Sequence, residues 1–256
     1  MVKLTQGAIL AAGRGQRLRA SGATFPKALA PVCGEPLLVR QARLMDRVGI
    51  KEVYAIVNSE IFERIKRDRI SLLPTVKLVV RDTANSMETM LAFADYIVAS
   101  HFVAITVDAV LSARDFSKFC TSAAEKLFKA EYSSQMGTPA TNDRTFGGIV
   151  GVTRWQGDPT PLFTTVSPDA EITSFTQGHQ NLVTAGIFAF STNIFALGSV
   201  ARSKGLNALR QLLALMVEQS VRLGTVELDE VVDVDEMADL ERAEQMLREA
   251  GEQNSV

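Results

Sequence analysis

Cysteine is scarce: Cys33 and Cys120 are the two in 256 residues. They lie far apart and without metal-ligand spacing, which excludes a disulfide framework and a zinc module. A reduced, cytoplasmic setting is the expectation. An excess of one charge is also missing. The formal net charge is −2 and the isoelectric point about 5.8, so there is no basic footprint for nucleic acid and no polybasic patch for a membrane surface. Long apolar runs are absent too. The most apolar window, LVTAGIFAFSTNIFALGSVA at 182–201, is broken by Ser191, Thr192 and Asn193. It reads as a buried strand followed by a helix start, not as a membrane span. The opening MVKLTQGAILAAG has no signal-peptide core. Internal repeats, low-complexity tracts, linkers, a second catalytic domain and a hexapeptide-repeat extension are not expected.

What is present is an ordinary globular balance, 46% hydrophobic and 22% charged. The length suits one large domain with a sizeable core. Strand-like and helix-like segments alternate through the first half. Strands are predicted over 7–12, 51–58, 76–82 and 101–108. Helices are predicted from Pro36 to about Val48, over 61–68, over 86–100 with Ser86 as N-cap, and over 115–130. This rhythm predicts an α/β fold with a mostly parallel sheet and helices on both faces. The character changes after 130. FGGIVGVTRW, PLFTTV and EITSF are short strand candidates between turns, expected to form a small antiparallel lobe, inserted over 131–190, that receives a second substrate. NLVTAGIFAF returns to the sheet. Residues 191–256 supply a helix over 205–220, the short strands TVEL and VVDV, and an amphipathic helix over 236–250 with Met237, Leu240, Ala243 and Leu247 on one face. The whole is expected to be a single domain, with 1–130, 131–190 and 191–256 as its three parts.

The stretch AILAAGRGQRLRASGATFPKALAPV, residues 8–32, carries the chemistry. A strand that runs into a glycine loop places backbone N–H groups at the carboxyl edge of the sheet, where ligands bind in open α/β proteins. Gly13 and Gly15 allow close approach to a phosphate and positive φ. Arg17 and Lys27 are cations suited to a polyanion, and Pro26 stiffens the segment carrying Lys27. No GK[ST] follows, so this is not a Walker A loop. Leu18 stands where the third glycine of a dinucleotide fingerprint would be.

LAAGRGQRL followed by PKALAPVCGEPLL closely resembles the signature of the nucleotidyltransferases that make nucleotide-activated sugars and related headgroups, enzymes with a GT-A-like fold. The resemblance is tight over 7–57 and looser but collinear through Asp108, the TAGIFAF strand and VVDVDEMADLERAEQML. It implies transfer of NMP from an NTP to a phosphorylated small molecule, with pyrophosphate released and Mg²⁺ as cofactor. By the same resemblance Leu10, Ala11, Ala12 and Gly13 offer main-chain groups to base and ribose, and Gly15 cradles the phosphates. Arg17 holds the leaving pyrophosphate, and Lys27 contacts the α-phosphate, where charge builds in the transition state. Asp108 matches the first metal aspartate by position, although the context VDAVL lacks the glycine many relatives place before it. The second metal ligand lies in VVDVDEMADL. Asp235 is preferred for its place before the last helix, where an N-cap aspartate would look the same. Asp233, two residues earlier and so on the same strand face, is a further ligand candidate.

TANSMETM at 83–90 lies where relatives contact the nucleobase, with Ser86 as candidate. Gly148, Thr184 and Gly186 lie where relatives contact the acceptor, and Glu171 is a candidate for an acceptor hydroxyl. Many sugar-phosphate relatives read Glu-Lys-Pro after that strand, whereas this chain reads ITSFTQGHQ. The change turns attention from a hexose 1-phosphate toward an alcohol phosphate such as phosphocholine or inositol phosphate. His179 in this stretch reads first as a polar turn residue, with replacement of that lysine as the alternative. The molybdenum-cofactor nucleotidyltransferases share the fold, but they usually read LAGG with a shorter stretch before an aspartate-lysine. A non-catalytic relative would be expected to lose Arg17, Lys27 or an aspartate, and all are kept. No nucleic-acid or membrane partner is expected. The hydrophobic strands of the acceptor lobe are candidates for a homodimer contact.

Overall fold

The computed structural model describes residues 3–135, 146–154, 161–176 and 181–252. In chain order the strands are β1 (Gln6–Ala11), β2 (Pro31–Val32), β3 (Glu35–Pro36), β4 (Glu52–Val57), β5 (Val76–Val80), β6 (His101–Thr106), β7 (Ala109–Leu111), β8 (Gly148–Arg154), β9 (Phe163–Val166), β10 (Ile172–Thr176), β11 (Leu182–Ser191), β12 (Leu223–Glu227) and β13 (Val231–Asp233). The α-helices are α1 (Gln16–Ala20), α2 (Leu37–Arg47), α3 (Ser59–Arg67), α4 (Ser86–Leu91), α5 (Ala113–Gln135), α6 (Gly198–Ser203), α7 (Leu209–Glu218) and α8 (Met237–Glu249).

The predicted βαβα rhythm becomes a parallel block, β5-β4-β1-β6, in which β1 pairs with both β4 and β6. From β1 the chain steps outward to β4 and β5, then returns to the other side of β1 as β6. The carboxyl edge between β1 and β6 is therefore the topological switch point, where the connecting loops diverge and leave a crevice. Beyond β6 the sheet turns antiparallel through β11, which pairs with β8. β12 then runs parallel to β8. The expected antiparallel segment thus shares one nine-stranded sheet with the parallel block, and β9 and β10 form a hairpin at its edge.

Alternation along β1 sorts the core. Ile9 and Ala11 face a cluster built on α2, α3, α5 and α8; Ala8 and Leu10 face one built on α4, α6 and α7. With helices on both faces, no helix among the described residues is long and apolar enough to cross a membrane.

Four helical expectations change. Asn85, not Ser86, caps α4, accepting the Glu88 N–H at 3.0 Å. That helix stops at Leu91 and tightens into a 3₁₀ turn over Ala92–Asp95. The helix expected over 205–220 begins at Leu209, because Gly205 sits at φ 68° just past α6, the left-handed conformation that ends helices. Met237 is exposed, and Met246 joins Leu240, Ala243 and Leu247 on the buried face of α8. His179 lies outside the described residues.

Buried Asn58 ties the crevice to the sheet. Its amide oxygen caps α3 by accepting the Ile61 N–H at 2.9 Å, and its NH₂ donates to the Ala12 carbonyl at 3.1 Å. Replacement Asn58→Ala removes both bonds, with an expected loss of about 2 kcal/mol. Asn58→Asp keeps the cap and loses only the donor, so denaturant unfolding should place it between Asn58→Ala and wild type.

Candidate active site

Three loops meet at the switch point. The first leaves β1 as Ala12-Gly13-Arg14-Gly15 and enters α1. Gly15 stands at φ 59°, and a Cβ built there would lie 2.7 Å from Lys27 Cβ. Gly15 therefore serves two needs: left-handed backbone, and room for the Lys27 segment to pack against the loop. Gly13 is not at positive φ, contrary to expectation, and a Cβ there would meet open space. The second loop, Thr83 to Ser86, follows β5. The third is the turn Val107-Asp108 between β6 and β7. Together they line a cleft of about 620 Å³ that includes Leu10, Ala12, Gly13, Gly15, Arg17, Lys27, Asn85, Ser86, Thr106, Asp108 and Asp235.

At its floor the Lys27 ammonium donates to Asp108 Oδ2 and, at 2.7 Å, to Asp235 Oδ1. Arg17 Nη2 reaches Asp235 Oδ2 at 2.6 Å. The Lys27 side chain is 11% exposed. Burial disfavours its charge, yet the two carboxylates outweigh burial and raise its pKa above the ordinary lysine value. Burial also opposes the Asp108 charge. Lys27, aided by the Thr106 hydroxyl, outweighs it and holds the carboxyl below the usual range. The Lys27 and Asp108 charges therefore persist at neutral pH. Two carboxylates converging on one cation are the kind of donor set Mg²⁺ takes, with phosphate and water oxygens completing its shell.

The approach of Asp235 to Asp108 is set by β7 and β13, whose antiparallel pairing puts Asp233 opposite Ala109. The Val234 N–H donates to the Asp108 carbonyl at 3.0 Å. Asp239, one turn into α8, accepts the backbone N–H groups of Asp235 and Glu236. Glu236 holds the N-cap position, so the Asp235 carboxylate is turned to Lys27 and Arg17 instead of capping the helix. Asp233 does not line the cleft; its Oδ1 lies 3.8 Å from the Cβ position of Gly186.

The other candidates divide. The side chains of Leu10 and Ala12 face the cleft, whereas Ala11 faces the opposite cluster; the Leu10 carbonyl accepts the Val107 N–H and the Ala12 carbonyl the Asn58 amide. Ser86 lines the cleft, but its hydroxyl accepts the Leu209 N–H at 2.9 Å and so satisfies the start of α7. Gly186, at φ 67°, borders the site, for a Cβ there would come within 2.6 Å of Thr106 Oγ1 and Ala109. Gly148 and Thr184 do not line the cleft. Gly148 packs in the core against Phe190 and Leu223, and Thr184 pairs with Val152. The Glu171 carboxylate is engaged by Arg222, which also lies over the Phe146 ring at 4.6 Å. Thr106 lines the cleft and was not singled out in the sequence, and Asn85 and Thr89 line it from within TANSMETM, where Ser86 is the named candidate. For Thr106 a signal existed: residues 106 and 108 flank one position at the end of a strand.

The MobA-like NTP transferase domain model matches residues 7–181. The chain belongs to this NTP transferase family. The match assigns a nucleotidyltransferase domain and leaves the acceptor open. No curated protein sequence matches this chain. Among solved structures this nucleotidyltransferase is similar to the inositol-1-phosphate CTP transferase of T. maritima (TM-score 0.72, 15% identity, 97% of this chain and 98% of that one). It is also similar to CTP:phosphocholine cytidylyltransferase of Streptococcus pneumoniae (0.69, 18%, 96% and 100%). A third similar structure is CMP:2-keto-3-deoxy-manno-octonic acid synthetase with CTP (0.64, 14%, 96% and 99%). At such identities the likeness is one of fold.

Two outcomes are expected. Gly15→Ala puts a methyl against Lys27 Cβ and a left-handed strain of about 1–2 kcal/mol on the loop; differential scanning calorimetry should show lowered stability, and nucleotide affinity should fall. Arg222 holds the Glu171 carboxyl below its ordinary range. A depressed carboxylate stabilises the fold above its unfolded pKa, and that stabilisation disappears as pH falls through the folded value. Glu171→Gln should thus cost about 1 kcal/mol at pH 7, and its acid-unfolding curve should approach that of wild type only as pH falls below the ordinary glutamate range and through the depressed folded value.

Proposed function

We propose that this chain transfers a nucleotidyl group from an NTP to a phosphorylated alcohol in a Mg²⁺-dependent reaction, with CTP as the first nucleotide to test. The observation that carries the reading is the Lys27 ammonium seated between Asp108 and Asp235 beside a glycine loop in the switch-point cleft. Two cations and two anions share one spot. The cations suit phosphate oxygens and the anions suit a divalent metal.

In the reaction a phosphate-monoester oxygen bonds to the α-phosphorus of the NTP. The bond from that phosphorus to the bridging oxygen breaks, and pyrophosphate leaves with the electron pair. Such transfer needs alignment and charge stabilisation more than covalent help from the protein. Lys27 meets the charge that grows on the α-phosphate. Arg17, on α1 at the mouth of the loop, holds the departing pyrophosphate. Gly15 lets the loop backbone approach the phosphates. Asp108 and Asp235 would hold Mg²⁺, which when bound neutralises phosphate charge. Gly186, with no side chain beside Thr106, leaves room where the acceptor enters.

One feature favours an alcohol phosphate over a hexose 1-phosphate: the stretch after β10 lacks the Glu-Lys-Pro of many sugar-phosphate relatives. The similar structures are named for both acceptor classes, two for CTP with inositol 1-phosphate or phosphocholine and one for glucose 1-phosphate.

The test is pyrophosphate release with Mg²⁺, each NTP and dTTP, and a panel of phosphocholine, inositol phosphate and sugar 1-phosphates. Release with one pair is expected, reduced roughly 100- to 1,000-fold in Lys27→Ala and Asp108→Ala. Release with a sugar 1-phosphate alone would correct the acceptor. If no nucleotide binds with Mg²⁺, the catalytic reading is overturned.

A further inference from the structure

Two neighbouring buried polar residues on α2 grip the segment that carries Asp108. Gln41 is fully buried, and its Nε2 donates to the carbonyls on both sides of Asp108: Ala109 O at 2.7 Å and Val107 O at 3.3 Å. Arg40, 1% exposed, donates from Nη2 to Leu111 O at 2.8 Å and to Glu252 Oε2 at 3.1 Å. Glu252 in turn accepts the Ala113 N–H. One helix thus holds the backbone of residues 107, 109 and 111 from below.

As stability devices these side chains are poor. Gln41 Oε1 and Arg40 Nη1 are buried with no hydrogen-bond partner among the described residues. Burying a polar group without a partner costs free energy, and an apolar side chain of the same volume would avoid it. What the arrangement does achieve is orientation. A forked amide donor holds the Val107–Asp108 peptide plane before Asp108 and the Ala109–Val110 plane one residue beyond it. The plane between them carries the Asp108 carbonyl, which the Val234 N–H holds from another side, and together the three set where the carboxylate points.

We propose that Gln41, supported by Arg40, is a positioning residue that aims the Asp108 carboxylate into the cleft. The inference deepens the proposed function and rests on it for the metal role of Asp108. Groups that orient metal-binding carboxylates typically matter 10- to 100-fold in metal affinity or activity without touching the metal.

The test uses Gln41→Met, which keeps volume and removes both the donor and the orphaned oxygen. Hydrogen exchange of the amides from Val107 to Leu111 should quicken about tenfold, with α2 and β1 exchanging as in wild type. Mn²⁺ affinity, measured by titration with a non-hydrolysable NTP analogue present, should fall roughly 10- to 100-fold. In a double-mutant cycle, Gln41→Met should add no loss of kcat/KM on an Asp108→Asn background, because the carboxylate it aims is already gone. Unchanged exchange in the turn, or quickened exchange spread evenly over the sheet, would overturn the proposal. So would a full additional loss of activity on the Asp108→Asn background. If wild type binds no Mn²⁺ with the analogue, the metal reading of the cleft fails, and the exchange rates still decide whether Gln41 holds the turn.

Discussion

Lys27 lies 81 residues from Asp108 and 208 from Asp235, and the cleft depends on the one point where these three side chains meet. An enclosed ion cluster is costly to assemble. Each group gives up water, and the attraction between them repays that cost only when the geometry is close. The surrounding structure supplies the geometry. Gly15 makes room for Lys27, β7 and β13 bring Asp235 beside Asp108, and Asp239 fixes the backbone from which Asp235 projects. With two positive and two negative side chains, the cluster carries no net charge, counting Arg17 with Lys27 against the two aspartates. In the proposed reaction it would take up a metal and a polyanionic nucleotide together without first accumulating charge of one sign.

The sheet explains why this point is a cleft. Parallel strands end on a common edge, and connections that diverge on either side of β1 leave that edge uncovered. Turning antiparallel at β11 allows β7 and β13 to form a small separate ladder over the same edge. The C-terminal segment thereby returns to the first loop of the chain, and the family domain over 7–181 receives its second carboxylate from residues beyond it.

Much of this architecture was legible in the linear pattern. Apolar runs of strand length, amphipathic segments between them and glycines after the first strand located β1, β4, β5 and β6 and the glycine loop, because these features are local. Side-chain roles that depend on a distant partner were not. Ser86 reads equally well as a helix cap or a base contact, and its hydroxyl goes instead to α7, 123 residues away. Glu171 reads as a free carboxylate until Arg222 is brought against it by β12. Gln41 reads as an unremarkable polar residue in an amphipathic helix, since nothing nearby in sequence shows which backbone it meets.

Asp233 and Asp235 show the division most clearly. Period-two alternation puts them on one strand face and cannot choose between them. The strand ends at Asp233, and the chain bends toward α8, so Asp235 alone is aimed at Lys27 while Asp233 stays exposed near Gly186. The sequence by itself determined the α/β class, the order of elements and the presence of a phosphate-type loop with two cations, all consequences of short-range periodicity and backbone preference. Only the tertiary structure decided which carboxylate joins those cations and which buried amide holds its companion, because both follow from the pairing of segments far apart in the chain.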